Sequence, residues 1–354
     1  MSVRTVAGGV AVLLALAGFL ACVSFDGLTG GTRDAGPGEA EAGPVEAGEA
    51  GDAGSDADAA PAVPVLLAGG LPLPVCVVVD PLHVYWATNR CSGQVCAEEL
   101  PLVGDAGPSV VAMAPDDYGI GWADCALRVD GSLVVGGSPT GNGLIDRFPP
   151  AAMVESRFAY GFAPVVALAV SPSGGIAWTT SNGWVYACGS TCDNNPTTIA
   201  AMQMTPAGIA TDGVTVYWAN LGDDTIRSSP FYGDGGQVSI VASDAASPVD
   251  VALDDAGVYW VEATSGNVMA LRAGAPSPVV VASGPPGTTA AIALDGDRIY
   301  WVSSAGSVMR VEKDGGAPTT LASGQDTPVD VAVDSRFVYW ADGVVDGGIY
   351  RVAK

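Results

Sequence analysis

The chain has 354 residues, 49% of them apolar and 15% charged, and 38 acidic against 14 basic residues give a net charge of −24. Nine acids (Asp26, Asp34, Glu39, Glu41, Glu46, Glu49, Asp52, Asp56 and Asp58) and two bases (Arg4 and Arg33) precede residue 61, leaving 29 acids and 12 bases, a charge near −17, on the rest. A body this acidic repels phosphate backbones, which excludes nucleic acid and favours cationic partners.

At the N-terminus, Arg4 precedes an apolar run from Val10 to Leu20. The run has the length of a signal-peptide core and is too short for a permanent membrane span. It ends in Phe19-Leu20-Ala21-Cys22. This resembles the bacterial lipoprotein lipobox, which runs Leu, a small or apolar residue, Ala or Gly, then Cys. Ala21 and Cys22 match, and Phe19 stands where Leu is usual. The resemblance implies that residues 1–21 are a signal peptide, that cleavage precedes Cys22, and that Cys22 carries lipid. The expected location is the cell envelope, at the outer membrane or cell surface, with the membrane reached through the lipid. Residues 26–62 hold almost no bulky apolar side chains and cannot offset their ordering entropy, so residues 22–62 are expected to be the lipidated Cys22 and a disordered acidic Ala/Gly tether.

From residue 63 a phrase returns about every 41 residues: an apolar strand, Asp, then an aromatic pair. It reads Asp80…Tyr85-Trp86, Asp212…Tyr217-Trp218, Asp254…Tyr259-Trp260, Asp295…Tyr300-Trp301 and Asp334…Tyr339-Trp340. Two weaker copies, at Asp130 and Ser171, fill the gap and bring the count to seven. Each unit parses into four short strands; around Asp254 these are 249–253, 258–261, 267–271 and 278–282. A period of this length filled with short strands predicts an all-β, seven-bladed β-propeller over residues 63–354, with six blades as the alternative. The last unit stops after three strands, and residues 63–69 mirror the outer strand 317–323. An open edge is a liability, so residues 63–69 are expected to close the last blade.

The aromatic pairs resemble those of YWTD repeats, the class B repeats of the low-density lipoprotein receptor family, and the body resembles TolB-like propellers. Tyr339-Trp340-Ala341-Asp342 comes closest. Members of the YWTD family usually have six blades, and in them the motif is structural. The five Trp residues are accordingly expected to pack between blades. The repeated Asp residues are expected to cap the turns they open.

Six cysteines follow Cys22, an even number that favours disulfides in an exported chain. Cys188 and Cys192 flank a turn between third and outer strands, Cys91 and Cys96 suit a similar loop, and Cys76 with Cys125 pair by elimination; six cysteines admit 15 pairings in all. His83, the only histidine, varies freely between repeats and is expected to be exposed, and the cysteine spacings do not suit zinc. No nucleophile–base pair or phosphate loop can be assembled.

One interval breaks the repeat. Asp80 to Asp130 spans 50 residues, and part of the excess is 115–124, which carries Asp116, Asp117, Tyr118, Trp122 and Asp124. This connection between blades is the expected binding loop, with aromatic rings and carboxylates suited to a glycan, a cationic peptide or an envelope protein. Loops between second and third strands share that face, including Asp223, Asp224, Glu262 and Asp342. The expected function is non-catalytic binding or scaffolding by a monomeric, envelope-anchored lipoprotein. A carboxylate- or Ca²⁺-dependent propeller enzyme of lyase or lactonase type is the alternative. No cofactor is expected; Ca²⁺ is the ion that axial carboxylates would take.

Overall fold

The computed structural model describes residues 62–354 except 92–93, 103–106, 115–121, 129, 139–141, 150–155, 193, 234 and 287–288. The side chains of residues 90–91, 94–96, 110–114, 122 and 156 also lie outside the description. The signal segment, Cys22 and the tether therefore lie outside the described residues.

The described chain forms 28 strands in seven four-stranded sheets and no helix. Each sheet is one blade of a β-propeller. The inner strands are Pro74–Val79, Trp122–Leu127, Val165–Val170, Pro206–Thr211, Pro248–Asp254, Thr289–Leu294 and Pro328–Val333, which number blades 1 to 7. Each inner strand packs against that of the next blade, and the seventh packs against the first, so the ring is closed. In blade 5 the strands are Pro248–Asp254, Gly257–Glu262, Asn267–Arg272 and Val279–Ser283, each within a residue or two of the sequence expectation. Connections from outer to next inner strand, and from second to third strand, lie on what we term the upper face. The other turns form the lower face.

Blade 7 takes its outer strand from the start of the propeller. Val65–Leu71 pairs antiparallel with Gly347–Ala353, with Val65 opposite Arg351 and Leu71 opposite Gly347. Ala68 and Leu71 then pack in one cluster with Trp86, Tyr339 and Ile349.

The tryptophans of the repeat form the core. Trp86, Trp178, Trp218, Trp260, Trp301 and Trp340 are all fully buried. The second strand alternates between the two sides of its blade, so one aromatic of each pair meets the preceding blade and the other the next. Tyr300 and Trp340 share one inter-blade cluster, and Tyr259 and Trp301 share another. The turn Asp residues cap as expected. Asp295 Oδ1 accepts from the backbone N–H groups of Asp297 (3.1 Å) and Arg298 (2.8 Å), and its Oδ2 accepts from the Tyr300 hydroxyl at 2.8 Å. Asp334 does the same for Arg336, Phe337 and Tyr339.

Two disulfides are present among the described residues. Cys76–Cys125 joins the inner strands of blades 1 and 2, and Cys188–Cys192 closes the turn of blade 3. The side chains of Cys91 and Cys96 lie outside the described residues. His83 is not the exposed group the sequence suggests: its side chain is 28% exposed, with Nδ1 3.4 Å from the Tyr85 hydroxyl.

Candidate functional site

The inner strands enclose an axial channel of about 380 Å³, and three carboxylates line it: Asp124, Asp250 and Asp330. The fold places them there through a repeated irregularity. Every inner strand skips one or two residues of register near its start, as between Pro248 and Asp250 or between Pro328 and Asp330. Such a bulge re-aims the side chain that follows it. The repeat position after the bulge is held by Cys76, Asp124, Ala167, Gly208, Asp250, Ala291 and Asp330 in blades 1 to 7.

At four of the seven junctions this position is linked to the following position in the next blade. Asp124 Oδ2 accepts from Leu168 N–H at 2.8 Å, Asp250 Oδ2 from Ile292 N–H at 3.0 Å, and Asp330 Oδ2 from Val77 N–H at 2.8 Å. Each Oδ1 accepts from the next N–H of its own strand, on Cys125, Val251 and Val331, all at 2.8 Å. Between blades 1 and 2 the same two positions hold the Cys76–Cys125 disulfide. The axial groups are thus stitches, and Asp330 ties the last blade to the first. Gly208 belongs to this arrangement: a Cβ there would lie 2.2 Å from Asp250 Oδ1, so a side chain would displace the carboxylate.

Asp124, Asp250 and Asp330 line the channel and keep some surface exposure, yet protein surrounds all three and sets the electrostatics of an interior. Burial pushes Asp250 up to about 7 and Asp330 up to about 6. Burial also carries Asp124 well above the usual carboxylate range, and the charge on Asp330 adds to that shift. The backbone donors oppose the shifts without cancelling them. Among the described residues, no group of three His, Cys, Asp or Glu side chains stands close enough to hold a metal ion.

Of the sequence candidates, Asp116, Asp117 and Tyr118 and the side chain of Trp122 lie outside the described residues. Asp124 is part of the axial stitching rather than a loop contact. Glu262 and Asp342, expected on the upper face, are instead buried, at 4% and 2% exposure. Glu262 accepts from Trp260 Nε1 at 3.2 Å and from Ser265 Oγ at 2.6 Å, so it serves the tryptophan layer. Asp223 pairs with Arg227 at 2.5 Å, and Asp224 accepts from Ser247 N–H at 3.0 Å.

Beside exposed acids such as Asp224 and Asp244, the upper face presents apolar side chains. Met202 is 88% exposed, Met204 55% and Trp184 36%. They sit on adjoining loops, joined by Gln203 N–H donating to Gly183 O at 2.8 Å. Gln203 turns inward between the two methionines and accepts from Trp218 Nε1 at 3.3 Å, which leaves both thioethers outside. The connection has a repeated backbone form, with a left-handed residue three places before a second left-handed residue that precedes Pro. The pairs are Gly70 and Leu73, Met202 and Thr205, Asp244 and Ser247, and Gly324 and Thr327. Where the other connections use Gly or Asp, this one uses Met at φ 56°.

No protein-family model matches the chain, and no curated protein matches it. Solved structures do. The virginiamycin B lyase from Staphylococcus aureus aligns with a TM-score of 0.65 at 14% identity, over 83% of this chain and 99% of that one. The computationally designed Ika8 protein aligns at 0.57 and 11%, over 82% and 98%. A chain of the nidogen/laminin complex aligns at 0.51 and 18%, over 65% and 89%. At these identities the likeness is one of fold. The β-propeller is shared, across proteins of binding, lyase and designed origin.

Proposed function

We propose that the protein is a non-catalytic binding or scaffold lipoprotein of the cell envelope that engages its partner through the upper face. The observation that carries this reading is Met202. A left-handed backbone costs a non-glycine residue about 1 kcal/mol. An apolar side chain kept at that cost and 88% exposed is better explained by a contact than by packing. Methionines suit such a surface because the thioether is flexible and polarizable. Residues 115–121 also connect an outer strand to an inner strand, as 201–205 do, and we propose that Tyr118 and the adjoining Trp122 take part in binding a glycan, a cationic peptide or an envelope protein.

Met202→Gly separates contact from packing. Glycine relieves the backbone, so the variant should be more stable by roughly 0.5 kcal/mol in urea denaturation. The same variant should capture the partner more weakly. Loss of stability would make Met202 a packing group.

Anchoring is a separate part of the proposal and rests on the Leu20-Ala21-Cys22 setting. The chain should incorporate labelled fatty acid in a bacterial host, and Cys22→Ser should abolish the label and leave an uncleaved precursor. Unchanged labelling would remove the anchor.

The enzyme reading draws on one feature: beside the axial channel, burial pushes Asp250 up to about 7 and Asp330 up to about 6, the range that suits a general base. Against it, both oxygens of each carboxylate are engaged by backbone donors. Turnover of a lactone or uronate that Asp250→Asn abolishes would favour the enzyme.

A further inference from the structure

The lower face carries a second device at two neighbouring junctions, and the junction that precedes them has the receiving groups without the lysine. At the end of the third strand, blades 6 and 7 each direct one residue at the turn Asp of the preceding blade. In blade 6 this residue is Lys313. Its Nζ pairs with Asp254 of blade 5, donates to the carbonyls of Asp295 and Gly296 (3.1 Å to the latter), and lies 5.8 Å from the centre of the Tyr259 ring. In blade 7 it is Lys354, whose Nζ is 2.6 Å from Asp295 Oδ2 and 5.3 Å from the centre of the Tyr300 ring. Both are interior plugs, with side chains 9% and 11% exposed. Each ammonium thus meets a carboxylate and a tyrosine face from the preceding blade.

In blade 5 the same slot holds Ala273. The equivalence is fixed by the backbone: Ala273 N–H donates to Ala256 O as Lys313 N–H donates to Asp297 O and Lys354 N–H to Arg336 O. The blade 4 groups that would receive an ammonium are Asp212 and Tyr217. At this junction a cavity of about 530 Å³ opens, lined by both of them, by Ala273 and by the Asp254–Asp255 turn. Asp212 Oδ1 caps its turn through Val214 and Thr215 N–H, both at 2.7 Å, while Oδ2 has no hydrogen-bond partner among the described residues. Leu253, Val258 and Leu271 supply apolar wall. Arg272 lines the cavity, but its guanidinium is turned to Asp314 Oδ1 and to the Lys313 carbonyl, both at 2.9 Å. Between blades 3 and 4, Phe231 fills the corresponding space, and the anchor there is Ser171 rather than Asp.

We infer that this cavity between blades 4 and 5 is a binding site for a primary alkylammonium, with Asp212 as its counter-ion, Tyr217 as its aromatic wall and the apolar lining around its methylenes. The chain itself supplies the template, because two neighbouring junctions bind a lysine ammonium with the same repeat positions. A charge-assisted contact and a cation–π contact act together on the ligand, and its stem lies on aliphatic surface. The ligand is the lysine side chain of a partner protein or a free diamine. The site is on the face opposite Met202 and does not depend on the function proposed for that face.

The test is calorimetric titration of the full propeller with cadaverine, with Nα-acetyl-lysine methylamide and with pentanol as the uncharged control. Both amines should bind one to one, and pentanol should not. Ala273→Lys inserts the missing plug and should abolish binding. Asp212→Asn keeps the turn cap but removes the charge, and should weaken binding by about tenfold or more. Should Ala273→Lys fold poorly, Asp212→Asn decides alone. Tighter binding of the lysine derivative assigns the site to a protein lysine; tighter binding of cadaverine assigns it to a free diamine. Absence of saturable binding by either amine, or affinity unchanged in both variants, overturns the inference.

Discussion

Deleting residues 23–60 should leave urea stability close to that of the full chain, whereas extending the deletion through Gly70 should cost on the order of 3–5 kcal/mol. The shorter deletion removes the acidic Ala- and Gly-rich stretch and stops before the first strand at Val65. The longer one takes nearly all of Val65–Leu71, the outer strand of blade 7. It strips Ala68 from the cluster around Trp86 and Tyr339 and leaves Gly347–Ala353 as an open edge. An exposed edge also templates association, so the longer deletion should show concentration-dependent aggregation. Equal stability of the two truncations would mean that the ring does not need this strand.

The axial carboxylates should make the propeller less stable as pH rises from about 4 to about 8. Asp250, Asp330 and Asp124 all have folded pKa values raised above the ordinary carboxylate value, by burial first. Within that window the native state therefore holds protons that the unfolded chain has already released. Stability is lost as pH passes through about 6 for Asp330 and about 7 for Asp250. One pKa unit corresponds to about 1.4 kcal/mol, so the loss is on the order of several kcal/mol when these carboxylates are taken together. Below pH 4 the sign reverses. Burial raises Asp295, but hydrogen bonds from Lys354 and Tyr300 outweigh this and hold it down to about 2, so its contribution disappears on acidification. The melting temperature should accordingly peak near pH 4–5. Asp250→Asn should flatten the slope above pH 5 even though losing one backbone contact lowers stability by about 1–3 kcal/mol. A melting temperature that rises from pH 5 to pH 8 would contradict the burial of these charges.

The repeat phrase carried most of the architecture. Tyr and Trp recur at fixed distance from Asp because each second strand must present its aromatics to both adjoining blades, and that constraint is visible as spacing. The closing strand was legible because an incomplete last unit and a spare first strand have one joint solution. The site was less legible. Asp250 and Asp330 lie in the matching phrases Pro248-Val249-Asp250-Val251-Ala252 and Pro328-Val329-Asp330-Val331-Ala332, which would have singled them out. Their direction depends on a bulge, and a bulge breaks the simple alternation by which a strand is read. Glu262 and Asp342 look like surface acids, since nothing local indicates that an indole covers them. Ala273 reads as an ordinary turn residue. Its meaning depends on knowing that blade 5 projects toward Asp212 and that the next two blades place lysines there.

The central claim, that the upper face is the binding surface, is tested most directly by site-specific photocrosslinking in intact cells. A photoreactive residue at Met202 on the upper face is compared with one at Leu82, which is 65% exposed on the lower face. The account predicts a discrete adduct from position 202 that is absent from position 82. No adduct from 202, or the same adduct from both positions, would contradict it.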